Sequence, residues 1–184
     1  MMKNILTFSI LSLWPYLLTI DSYAATLPQR GRCHDEFCLW EEVVQKVIIK
    51  REKGAILYKV DYIERQTVHD VKRVPGGAGV VAHYPDEYDG SFQQSTEPVK
   101  RSAFVFCYAK LPVVIGTIPR VLHLDGEIVT YAEANVAALY VSTCYDISLN
   151  SFFKGEFRAI NGVIPPLVDS VTVSDPLDLF NYIH

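Results

Sequence analysis

The residues best placed to do chemistry are the four cysteines, Cys33, Cys38, Cys107 and Cys144. An even number of cysteines in an exported chain reads as disulfides, and four of them allow three pairings. The spacing favours Cys33–Cys38, closing a short N-terminal loop, and Cys107–Cys144, tying a strand to a helix. On the chain-entropy model the longer closure stabilises by roughly 3–4 kcal/mol. Zinc is the competing chemistry. Cys33 and Cys38 have finger-like spacing with His34 adjacent, but Cys107 and Cys144 are not spaced as a second knuckle. A nucleophilic Cys107 is disfavoured by its apolar flank of Phe104, Val105 and Phe106, which does not stabilise a thiolate.

Other constellations fall short of a site. His34, His69, His83, His123 and His184 are scattered, with no His-x-x-x-His or His-Glu-x-x-His array. Ser91 and Ser95 lie near His83, yet no Gly-x-Ser-x-Gly elbow presents a nucleophile. The run Pro75-Gly76-Gly77-Ala78-Gly79 lacks the Lys-Ser/Thr of a phosphate loop and leads into Val80-Val81-Ala82, not into a helix. Asp86-Glu87-Tyr88-Asp89-Gly90 lacks the alternating oxygen ligands of a calcium loop and reads as a solvated acidic loop. No cofactor, metal or catalytic centre is therefore expected. With 17 Lys and Arg against 21 Asp and Glu, the formal net charge of −4 argues against a nucleic-acid partner, which needs clustered cations.

Aromatic residues supply the one candidate surface. Residues 75–98 form a connection of about 24 residues, and structureless loops beyond ~12–15 residues are usually functional or disordered. Tyr84, Tyr88 and Phe92 recur every four residues through it. Solvating linkers tend to lack aromatics, whereas interface anchors are enriched in them. These three rings are the predicted partner-binding residues. The alternatives are that they fold back onto the sheet, or that the loop is disordered.

What must position these residues is a mixed fold. Ile56, Tyr58, Val60 and Tyr62 alternate with Leu57, Lys59 and Asp61, the two-residue period of a half-buried strand. Residues 39–50 are ambiguous. Trp40, Val43, Val44, Val47 and Ile48 fit a helical stripe, while Val43, Val47 and Ile49 fit one face of a strand. The polar turn ending at Gly54 makes strand–turn–strand the simpler picture. Residues 64–74 extend that strand or start another, and Ser102 to Ala109 is apolar on both faces, as in a central strand. Residues 131–143 read as the main helix, with Thr130 and Glu133 as a capping box and Val129 as its staple. Residues 155–184 read as a loosely packed tail with one strand at Val171–Val173. The predicted fold class is α+β, an antiparallel sheet with one main helix packed on it, stabilised by disulfides.

The address comes from the first residues. Lys3 is followed by an uncharged run from Ile5 to Ile20, broken only by Pro15, and then by small residues at Ser22 and Ala24. These are the three parts of a secretory signal peptide, predicted to span residues 1–24 with the cut after Ala24. The run is shorter than the ~20 apolar residues of a spanning helix, so no membrane anchor is expected after cleavage. Residues 25–184 are then one globular domain in the periplasm or secreted. The expected function is a non-enzymatic protein-binding module of the inhibitor, immunity or envelope-accessory type. An enzyme whose site is assembled only in space, and a structural or small-ligand-binding envelope protein, are the alternatives.

Overall fold

The computed structural model describes residues 27–73, 80–82, 84–85, 87–124, 133–149 and 165–183. The predicted signal segment 1–24, the glycine run 75–79, His83, Asp86, Val129, Thr130 and His184 lie outside the described residues. The fold is α+β. Strands β1 (Gln29–His34), β2 (Phe37–Glu52), β3 (Ala55–Val68), β6 (Val99–Cys107), β7 (Val113–Ile115) and β8 (Pro119–Val121) form a curled antiparallel sheet in the order β1-β2-β3-β6-β7-β8. Two short strands, β4 (Val71–Arg73) and β5 (Val80–Ala82), pair separately. The connection after residue 75 therefore contains a strand and is not structureless throughout.

The ambiguity of residues 39–50 resolves as strand. β2 and β3 form one long hairpin, closed by Lys53-Gly54, both at positive φ (49° and 80°). That is the geometry of a two-residue turn matching the right-handed twist of the strands. β2 carries register shifts between Val43 and Gln45 and between Ile48 and Lys50. Each shift inserts a residue and moves the side-chain alternation by one. The extra residues, Val44 and Ile49, are exposed.

Helix α1 (Ala134–Tyr145) lies on one face of the sheet. It starts three residues later than 131–143 predicts, with Glu133 at the N-cap position itself and no side-chain capping bond. The polar group beside that end, Asn135, turns instead to β1, where its Oδ1 accepts from the Arg32 amide at 2.6 Å. Gly31 allows this approach, because a Cβ there would meet Asn135 Oδ1 at 2.5 Å. At the other end Lys46 of β2 donates to the Thr143 carbonyl at 3.1 Å, placing a cation at the negative end of the helix dipole. Alanines let the helix sit close, and Ala137, Ala138, Leu139 and Tyr140 pack on Val43, Val60, Ala103, Val105 and Val114. The Cys107–Cys144 disulfide, with its Cα atoms 5.5 Å apart, joins β6 to this helix.

The opposite face buries Leu57, Phe106 and Val113 under the C-terminal segment. Of the predicted loose tail 155–184, residues 155–164 lie outside the described residues, and the described part is packed. Residues 171–173 form no strand, and Pro176–Tyr182 is a short 3-10 helix with Leu179 and Phe180 buried. Asp175 accepts from the Leu177 amide at 2.8 Å, while Asp178 Oδ2 accepts from the Asp175 amide at 3.1 Å. This reciprocal box, followed by Pro176 with its preset φ, starts the helix. Phe180 then stands edge-on to Phe106 at 5.1 Å, with Lys50 Nζ 4.4 Å from its ring centre. Among the described residues, no helix is long and apolar enough to cross a membrane.

Candidate functional site

Consecutive residues of a strand point to opposite faces, and Trp40 and Glu41 are both buried. The two are 0 % and 6 % exposed. What each meets is different in kind.

On the Trp40 side, Cys33 and Cys38 are joined across the β1–β2 hairpin, whose turn places Asp35 at φ 50°. Both sulfurs are spent in the disulfide, so the zinc alternative has lost its thiolates. The three predicted partner-binding rings sit on this small core. Tyr84, Tyr88 and Phe92 are all half-buried against Cys33, Cys38 and Trp40. Tyr88 and Phe92 lie 5.4 and 6.0 Å from the Trp40 ring centre. The Tyr84 hydroxyl donates to the Asp35 carbonyl at 2.7 Å, and Arg30 donates to the Pro85 carbonyl at 2.8 Å. The fold-back alternative describes these contacts, so a partner can meet only the outer edges of the rings.

A polar chain runs beneath them. Trp40 Nε1, which can only donate, bonds to Thr67 Oγ1 at 2.7 Å. The hydroxyl proton is then available for His69 Nε2, also at 2.7 Å. This assignment needs neutral His69 with its proton on Nδ1. Burial accordingly holds the His69 imidazole below its usual range. A hydroxyl bonded to imidazole resembles an activated nucleophile, but Thr67 is completely buried, so no substrate reaches it. The chain holds the packing together.

The Glu41 side has an open feature. Register brings Tyr62 and Glu64 of β3, Arg101 of β6 and Arg120 of β8 around Glu41, beside Asn135 and Val136 of α1. They line an open vestibule of about 520 Å³. A narrower chamber of about 170 Å³ adjoins it, lined by Glu41, Tyr62, Ala103, Val114, Ile118 and Leu139 among others. Arg101 Nη2 donates to Glu64 Oε1 at 3.0 Å, which ties this pair together and holds the guanidinium above its usual pKa.

Glu41 has no such partner among the described residues. Its Oε2 is fully buried and without a hydrogen bond. Burial, with the Glu64 charge adding to it and Arg101 opposing it, raises the carboxyl pKa well above the ordinary value. Tyr62 is pushed up to about 12, first by burial and then by the same two carboxylates. Buried polar atoms are nearly always satisfied, so the exception marks the place to look. Sequence reasoning missed this cluster. Five residues from four strands converge only through register, and a lone Glu in a strand reads as solvated. No protein-family model matches the chain, and neither a curated protein nor a solved structure is significantly similar to it.

Proposed function

We propose that this chain is an exported, non-enzymatic protein-binding module of the inhibitor, immunity or envelope-accessory type, which meets its partner at the Glu41 cleft. The cleft carries the reading. The buried Glu41 Oε2 has no hydrogen-bond partner among the described residues, while Ile118 at the chamber wall is 57 % exposed beside Arg120 and Lys100. An apolar anchor ringed by charge is the usual anatomy of a protein interface. Two disulfides and the signal-like residues 1–24 support export into an oxidising compartment.

Two measurements test it. N-terminal sequencing of the exported protein is expected to begin at Ala25, and recovery of an intact Met1 terminus from membranes overturns the export claim. For binding, the tagged protein and its Ile118→Asp variant, shown to melt alike, are compared for capture from an envelope extract. A protein held by the wild type and lost from the variant supports the cleft as the interface. Equal capture by both, or capture of nothing specific, overturns it.

A further inference from the structure

Strand β6 is longer than one of the neighbours that pair with it. On one side β3 pairs along all of it, from Cys107 opposite Ile56 to Val99 opposite Glu64. On the other side β7 pairs only with Phe104, Val105 and Phe106, and the chain then turns through Gly116 and Thr117 into β8. Among the described residues no strand lies beside residues 99–103 on that side. A Cβ on Gly116 would meet no atom within 4 Å, so the space in line with β7 is open. Alternate residues of an antiparallel strand direct both N–H and C=O to the same neighbour, so this stretch presents an open ladder edge. The edge gives onto the vestibule. Three consecutive residues, Lys100, Arg101 and Ser102, line it for that reason, although their side chains alternate between faces.

We infer that the partner adds a strand here: an extended acidic segment lies antiparallel to residues 99–103 of β6, in line with β7. This rests on the reading of the cleft as the partner-binding site. Main-chain bonds hold such an added strand, and alternate side chains select it. Charge names the occupant. Lys100 and Arg101 on the edge and Arg120 on the facing rim are all exposed, in a chain whose net charge is −4. Against them stand Glu64, whose Oε1 already accepts from Arg101 at 3.0 Å, and Glu41, which is buried. Arg120 lies opposite Val114 and Val114 opposite Val105, from which Arg101 follows in steps of two, so Arg101 and Arg120 share a face. Alternate side chains of the added strand fall on that face, and Asp or Glu fits them. The others fall on the face of Phe104 and Ile115, both half-buried, and suit apolar residues.

A second copy of the chain does not suit this edge. Two-fold pairing centred on Arg101 sets Arg101 against itself, and centring between Lys100 and Arg101 sets those two cations against each other. Like charges directly opposite are destabilising. The other edges of the sheet are blunted by different means. Pro119 in β8 has no N–H, and on β1 the Arg32 amide is taken by Asn135. β2 beyond Glu41 is interrupted by its two bulges. Residues 99–103 keep a regular register with β3 and contain no proline. Their protection is charge alone, which repels a like edge and admits an acidic one.

The test uses the full-length mature protein and short capped peptides as probes. One alternates valine and aspartate, one carries lysine in place of aspartate, and one is the acidic peptide with its backbone amides N-methylated. Binding is read from amide shifts at Arg101, Ser102, Ala103 and Gly116, and from slowed amide hydrogen exchange along residues 99–103. The acidic peptide is expected to produce both signals and the other two neither. Arg120→Glu, at an exposed position, should leave melting unchanged and weaken the acidic peptide roughly tenfold, from one cross-strand attraction lost and one repulsion gained. If the N-methylated peptide binds as well as its parent, the site is a charged patch and strand addition is overturned. Equal binding of the lysine peptide, no binding of any peptide, or self-association of the protein through the same amides overturns it too. The Ile118→Asp capture experiment still decides the cleft independently.

Discussion

Trp40 and Glu41 are chain neighbours on one strand, both buried, and they show two ways a buried polar atom can be treated. Behind Trp40 each polar atom of the chain Trp40–Thr67–His69 bonds to the next, and a loop of aromatic rings seals it. Behind Glu41, which lines a cleft, the carboxyl keeps a fully buried oxygen with no hydrogen bond among the described residues. The satisfied side adds stability. The unsatisfied side costs stability, and nothing else in the described fold requires that cost. A buried, unpaired charge-bearing group is retained more readily for binding than for folding. That contrast favours the cleft over the aromatic loop as the surface that meets a partner.

The contrast can be broken most severely at Trp40. Trp40→Ala removes a fully buried indole, its bond to Thr67 and the contacts with Tyr88 and Phe92. A loss of about 3–5 kcal/mol in urea unfolding is expected, typical of a large-to-small aromatic truncation. A change below about 1 kcal/mol would show that the loop and this small core are peripheral to the fold. Next in size is Thr67→Val, which keeps the shape and deletes the hydroxyl. It strands Trp40 Nε1 and His69 Nε2 together, so a loss of about 1–3 kcal/mol is expected. Both substitutions should leave partner capture through the Ile118 cleft at the other face unchanged.

How far the sequence foretold this contrast depends on the distance over which each side is built. The cysteine pairings were readable, because the two short-range cysteines flank a turn and the other two end a strand and a helix. β3 was readable from strict alternation. β2 was readable as a strand only through the turn at Gly54, not from its own period, and the reason is physical. Its two bulges shift the alternation at Val44 and Ile49, so apolar residues fall at spacings of three and four that imitate a helix. The 3-10 helix at the C-terminus is too short for periodicity to reveal, yet Asp175-Pro176 with Asp178 was a legible start signal. Leu179 and Phe180 following it could have marked a packed end in place of a loose one. Glu41 had no local signal at all, since its neighbours Tyr62, Glu64, Arg101 and Arg120 reach it only across the sheet.

On the cleft side the expected effect is smaller and opposite in sign. The Glu41 pKa is raised in the folded state, so its contribution to stability is full below the unfolded value near 4.5 and is lost as pH rises through the folded value. Glu41→Gln removes the ionisation. The variant should match the wild type in acid and become progressively more stable than it toward neutral pH, by denaturant melts taken at intervals. A variant less stable than wild type at pH 7 would mean that Glu41 is paired inside the domain, and the contrast between the two sides would fail.

The smallest effect belongs to His69, and it sharpens the comparison because its sign is the reverse of that of Glu41. Burial lowers the His69 pKa from 6.5, and its ring also stands edge-on to Phe92 at 4.9 Å. The unfolded chain therefore takes up a proton at a higher pH than the folded one. The stability tied to neutral His69 is complete above the unfolded pKa near 6.5 and is lost as pH falls through the folded value. Protonation puts a hydrogen on Nε2, so the imidazole can no longer accept from Thr67, and the buried hydroxyl is left without an acceptor. His69→Gln should flatten the acid-side slope of stability between pH 6.5 and the folded value. It should leave the rising gap between wild type and Glu41→Gln at neutral pH untouched. The double variant then tests independence: the two faces are separated by the sheet, so the two pH slopes should add. Slopes that fail to add would mean that the two sides communicate through β2, and that Trp40 and Glu41 respond as one unit.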